Sequence, residues 1–200
     1  MRFRIGHTKV NISFLFFSML TMIFAIDEKG VALITMISVA LHEIGHISAL
    51  FLLGSRPDEI DFGIFGIRIR QNKYMLSDVG QIMVVAFGPL VNFVLFAVVL
   101  VAYLIFESQI LLIISAVNIV VGGFNLMPIF PLDGGRILFV ILSLFLRKRT
   151  VMIIMRLICI VCIFALIILG VFIVRNTGWN FSLLATVGYL AVLCTKSVRI

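Results

Sequence analysis

Charge is scarce in this 200-residue chain: Asp, Glu, Lys and Arg make up 12% of it, about half the share of an average soluble domain. Hydrophobic residues make up 62%, which leaves too little polar sequence to coat a water-soluble core and excludes a soluble enzyme or a disordered chain. Cysteine is scarce too. Cys159, Cys162 and Cys194 all lie in apolar runs, so a secreted disulfide scaffold is excluded and buried, reduced thiols are expected. Acids are outnumbered, nine against sixteen Lys and Arg, for a formal charge of +7. In so apolar a chain this excess points to retained cytoplasmic loops rather than to nucleic acid. There are no internal repeats, and nothing marks a second domain.

What is abundant is apolar sequence in runs of membrane-crossing length, at 10–26, 31–53, 79–105, 110–146, 151–174 and 181–194. The fourth run is too long for one straight crossing and contains Pro128, Pro131 and Gly134-Gly135. It is expected to be one discontinuous span: a helix to about Asn125, an extended break, and a second helix from about Asp133. That gives an all-α polytopic membrane protein of six transmembrane helices, the fourth broken, as a single membrane-embedded domain over 1–200 with core spans at about 31–146. With the N-terminus inside, the cytoplasmic segments hold twelve basic residues, whereas only Lys29 and Arg175 fall outside. This asymmetry places the chain in the cell membrane as a multi-pass protein with both termini cytoplasmic.

The one sizeable polar loop is 54–78. Ile60, Phe62 and Ile64 alternate with Asp61 and Gly63, and Ile67 and Ile69 with Arg68 and Arg70. The period of two predicts one or two short strands, bent at Gly66: a β-hairpin or re-entrant segment after the second span. It would lie on the membrane or offer an edge to an extended peptide.

The chemistry is concentrated in His42-Glu43-Ile44-Gly45-His46. Residues four apart share a helix face, so the two imidazoles converge, with Glu43 beside them to take a proton from a metal-activated water. Ionisable groups inside an apolar helix are costly and presumed functional; the rival reading is a structural polar network between helices. A catalytic zinc commonly takes three protein ligands. His7, in the N-terminal arm, is the only other histidine, and Asp133 is the only acid besides Glu43 within an apolar run. From the cytoplasmic ends, His46 lies about 10 Å deep, His42 about 16 Å and Asp133 about 20 Å at the helical rise, which agree within a turn. Asp133 also suits a helix cap, a role compatible with ligation.

The sequences His42-Glu-Ile-Gly-His46, Gly88-Pro89-Leu-Val-Asn92 and Asn125-Leu-Met-Pro-Ile-Phe-Pro-Leu-Asp-Gly-Gly-Arg136 together resemble the site-2 protease family of intramembrane zinc metalloproteases. The last run is most similar to the stage IV sporulation protease type. The resemblance implies a six-helix core, one zinc ion held by His42, His46 and Asp133, and Glu43 as catalytic base. It also implies substrate contacts at Asn125 and Pro131, guiding strands after the second span, and hydrogen bonds from the Gly88–Asn92 stretch to the active-site helices. Membrane-spanning or membrane-tethered proteins, such as a sigma-factor precursor or an anti-sigma factor, would be the substrates. The lipid bilayer and regulatory membrane proteins would be the partners. Sporulation-type members carry a nucleotide-sensing CBS domain after the last span; here the chain stops six residues past Cys194, which reads as a minimal relative or a truncated form. Two other classes compete. Broken helices with ionisable groups also mark small-solute and ion transporters, and a catalytically inactive membrane scaffold would need none of this chemistry intact.

Overall fold

The computed structural model describes residues 2–5, 8–12, 27, 30–55, 59–63, 66–70, 76–177 and 182–197. The chain divides into two compact units, Met1–Gly123 and Phe124–Ile200.

In the first unit, strands β1 (Arg2–Ile5), β2 (Thr8–Ile12), β3 (Glu59–Gly63) and β4 (Gly66–Arg70) form one sheet in the order β1-β2-β3-β4. β1 pairs antiparallel with β2, and β2 runs parallel to β3, with Lys9 opposite Glu59. β3 and β4 pair antiparallel from Glu59–Arg70 to Gly63–Gly66. The two N-terminal strands correct the all-α expectation. The start of the apolar run 10–26, read as a span, belongs instead to β2. Lys9-Val-Asn-Ile12 alternates polar and apolar residues, the period of a strand, and a reading by apolar runs absorbs Val10 and Ile12 into the helix. The remainder of that expected span, 13–26, lies outside the described residues.

Helix α1 (Val31–Leu52) follows Gly30, which takes a left-handed φ of 70°. Asp27 reaches over this turn, and its carboxylate accepts from the backbone N–H groups of Val31, Ala32 and Leu33, satisfying donors that a helix start leaves open. α2 (Asp78–Phe106) starts at Ser77, whose Oγ accepts from the Gly80 N–H at 3.2 Å. α1 and α2 pack on each other. Ala49, Leu50 and Val84 are buried between them, with Leu76 and Phe87 alongside. α3 (Gln109–Asn125) follows α2.

Residues 126–132 are not helical, and α4 (Asp133–Phe145) begins immediately after them. Pro128 and Pro131 have no N–H to give a helix. The segment instead closes short bonds of its own, from Met127 N to Phe124 O, Ile129 N to Met127 O and Leu132 N to Ile129 O. Ile129 is fully buried in a core with Cys159, Leu166, Val187, Leu190 and Cys194. Those residues come from α5 (Lys148–Thr177) and α6 (Ser182–Ser197), which pack together. Among the described residues, α1, α2 and 148–176 are long and apolar enough to cross a membrane, while Gln109–Asn125 and Leu183–Cys194 are shorter apolar helices.

The expectation of three reduced thiols is also corrected. Cys159 and Cys194 are joined by a disulfide across α5 and α6, 35 residues apart, and Cys162 remains a thiol. Burial of Cys159 and Cys194 follows from their apolar surroundings; their pairing follows from the packing of two helices, which local sequence does not encode.

The two glycines opening α4 are there for space. A Cβ on Gly134 would strike the Leu126 carbonyl group, and one on Gly135 would lie 2.6 Å from the carbonyl carbon of Ile129. Both obstacles are backbone and cannot swing aside. Gly135→Ala should therefore destabilise the protein by about 1–3 kcal/mol, the cost of overpacking a close-packed interior, seen as a lower unfolding temperature in detergent.

Candidate metal centre

His42 and His46 stand one turn apart on α1, with their Nε2 atoms 3.1 Å apart and their rings nearly perpendicular at 87°. The outer nitrogens are both held by α2. His46 Nδ1 lies 2.8 Å from the Val84 carbonyl oxygen, and His42 Nδ1 lies 2.6 Å from Asn92 Oδ1. A carbonyl only accepts, so His46 Nδ1 carries a proton. The Asn92 amide nitrogen donates to the Ser38 carbonyl at 3.3 Å, which fixes the amide with its oxygen toward His42 and makes His42 Nδ1 a donor as well. These tautomers are assigned from the hydrogen-bond pattern.

In the uncharged form with Nδ1 protonated, each ring directs an Nε2 lone pair toward the other. Two such lone pairs at 3.1 Å repel unless a cation or proton lies between them. Nitrogens bound tetrahedrally to one zinc at about 2.0–2.1 Å stand about 3.3 Å apart, close to the observed spacing. Asp133 opens α4 and is buried, with 6% of its surface exposed. His42 and His46 each offer a ring nitrogen from α1, and Asp133, at the start of α4, offers a carboxylate oxygen. Two imidazoles and a carboxylate are a donor set of the catalytic zinc type, three protein ligands with a fourth position for water. The residues fit the ion.

α1 and α2 approach closely here because glycine faces glycine. A Cβ on Gly45 would lie 2.7 Å from the Phe87 carbonyl oxygen and 3.1 Å from the Gly88 Cα. A Cβ on Gly88 would run into the His46 ring and stand 2.8 Å from His42 Nε2. Small residues let helix backbones meet, and at Gly88 the missing side chain leaves room for the two imidazoles.

Glu43 is half-buried on α1 next to His42. Asn125 closes α3 and Pro131 lies in the following break, both half-buried. His7, weighed as another ligand, is outside the described residues. The sequence reading missed Ser38 and Asn118. Both are buried and bonded to each other, Ser38 Oγ to Asn118 Oδ1 at 3.0 Å, and both accept from Asn92. Their signal was the spacing of Ser38 one turn before His42, and an Asn in the middle of the apolar helix α3.

The profile of peptidase family M50 matches residues 105–169. A curated zinc metalloprotease of Methanocaldococcus jannaschii is 37% identical over 112 residues, which cover 54% of this chain and 32% of that protein. The solved structure of a site-2 protease from Methanocaldococcus jannaschii superposes with a TM-score of 0.72 at 25% identity, over 100% of this chain and 95% of that one. The chain is thus similar to peptidase family M50 over a stretch in its second half and to a site-2 protease in fold. The chain spans about a third of the length of the curated relative it matches, while the structural match runs along nearly the whole of both chains. The fold is therefore site-2 protease-like, and the profile match includes the break and Asp133.

Gly88→Ala should abolish metal binding, because the added methyl occupies the space of the imidazoles and its neighbours are helix backbone. Zinc per protein in the purified variant, measured by elemental analysis, should fall from about one toward zero.

Proposed function

We propose that this chain is an intramembrane zinc metalloprotease that hydrolyses peptide bonds of membrane-spanning or membrane-tethered proteins. The observation that carries the reading is the convergence of the His42 and His46 Nε2 atoms, with Glu43 on the same helix; we assign Asp133 as the third ligand. The likeness to a zinc metalloprotease and a site-2 protease supports it.

His42, His46 and Asp133 hold the ion. Zinc bound there supplies a Lewis acid for the scissile carbonyl and makes water acidic enough to give up a proton near neutral pH. Glu43 accepts the proton of the attacking water and delivers it to the amide nitrogen as the carbon–nitrogen bond breaks, leaving a carboxylate and an amine. Asn125 and Pro131 hold the substrate backbone extended beside the non-helical segment 126–132, where unwound chain needs polar company. Irregular backbone at membrane depth is tolerated where protein or a water-filled cavity lines it. That requirement suits an enzyme that must bring both water and an unwound peptide to one place.

Six crossings with both termini cytoplasmic, the fourth crossing made by α3 and α4 together, agree with the twelve-to-two distribution of basic residues. The run Asn125–Arg136 favours the sporulation type within the family, with a sigma-factor precursor or an anti-sigma factor as substrate and membrane proteins as regulators.

Cleavage of a single-span reporter by the purified protein in vesicles is the test. Glu43→Gln should lower the rate by about 10²–10⁴-fold with zinc content unchanged. Asp133→Ala should lose both zinc and activity. A zinc chelator should stop cleavage of the reporter and added zinc should restore it; full activity of Glu43→Gln would end this mechanism.

A further inference from the structure

Each metal-facing imidazole has an anchor, but the anchors differ in kind. His46 is held by a main-chain carbonyl, that of Val84. His42 is held by a side chain, Asn92, which is fully buried and is itself held by two others. The Asn92 amide nitrogen lies 3.0 Å from Ser38 Oγ, 3.0 Å from Asn118 Oδ1 and 3.3 Å from the Ser38 carbonyl. Asn118 is fixed in turn, its amide nitrogen donating to the Ile114 carbonyl at 2.9 Å, which turns its oxygen toward Ser38 and Asn92. Donation thus runs one way, from His42 to Asn92, from Asn92 to Asn118 and from Asn118 to the α3 backbone.

We infer that Asn92 is a positioning residue of the metal centre: held by Ser38 and Asn118, its Oδ1 locks His42 as the Nδ1–H tautomer with Nε2 turned toward the metal. This inference rests on the proposed metal site for its purpose, though not for its test. An asparagine suits the place because an amide has both ends. Its oxygen accepts from the imidazole while its nitrogen donates to the oxygens of Ser38 and Asn118, which a carboxylate cannot do. An amide freed from Ser38 and Asn118 can turn its nitrogen to the ring and favour the other tautomer, with the proton on Nε2 where the metal should bind.

The chain has only three histidines, so nitrogen-15 NMR of the metal-free, histidine-labelled protein in detergent micelles resolves each ring, with His7→Gln, His42→Gln and His46→Gln for assignment. In the parent protein both His42 and His46 should show protonated Nδ1, with any further proton shared between their two Nε2 atoms. In Asn92→Leu the His42 signals should move to a mixture of tautomers while those of His46 stay in place, so His46 reports that the fold survives. Asn118→Leu, which leaves Asn92 bonded to Ser38, provides a milder variant and should produce a smaller change of the same kind. Zinc affinity, from competition with a chelator, should fall by about 10–100-fold in Asn92→Leu, the usual effect of removing a ligand's outer partner. An unchanged His42 tautomer in both variants, or equal changes at His42 and His46, would overturn the inference. Failure of the parent protein to bind zinc would instead count against the metal site, with the tautomer readout still deciding the role of Asn92.

Discussion

An imidazole ring has two nitrogens, and inside an apolar helix bundle both must be accounted for. A buried polar atom without a partner costs about 1–3 kcal/mol, more than a marginally stable fold can ignore. In this chain α2 meets the outer nitrogen of each ring, one through the Val84 carbonyl and one through Asn92. Once those bonds are made, ring orientation and tautomer are settled, and the inner nitrogens converge. The metal-binding geometry is thus a consequence of how α1 satisfies its polar groups against α2.

That arrangement needs the helices close. Gly45 and Gly88 bring α1 and α2 together until a methyl group on either would strike backbone or an imidazole. Pro89 sits beside them within α2, where it removes the backbone donor that would meet the Val85 carbonyl, and the Val84 carbonyl one residue earlier accepts from His46. Close packing, a weakened turn and a side-chain hydrogen bond therefore fall within six residues of α2, from Val84 to Pro89. The motif Gly88-Pro-Leu-Val-Asn92 unites these features: room for the rings, a break in the ladder and, one turn on, the acceptor for His42.

Much of the candidate site was legible because its information is local. His42 and His46 share a helix face by spacing alone, and Asp133 was singled out as an acid stranded in apolar sequence. The two imidazoles converge on α1, and the acid opens α4. The expected helix ends at Asn125 and Asp133 coincide with the observed ones, since two prolines and two glycines restrict that stretch strongly. What escaped was relational. Ser38 and Asn118 are unremarkable until the fold brings them to Asn92, and Cys159 and Cys194 are separate apolar thiols until α5 packs on α6. The N-terminal strands failed differently. Val10 and Ile12 satisfy both a strand alternation and an apolar run, and the longer pattern prevails in a sequence this hydrophobic.

The same economy explains why the carboxylate comes from a helix start. A buried carboxylate needs strong compensation for lost water, and the open N–H groups and dipole of a helix N-terminus favour negative charge. Asp133 obtains that position because the prolines of 126–132 end one helix and Gly134-Gly135 let the next begin tight against the backbone of the break. A continuous helix would have placed the acid mid-span, its backbone donors already used within the ladder. The interruption that looks like a cost in a membrane-spanning sequence is what makes the acid tolerable there.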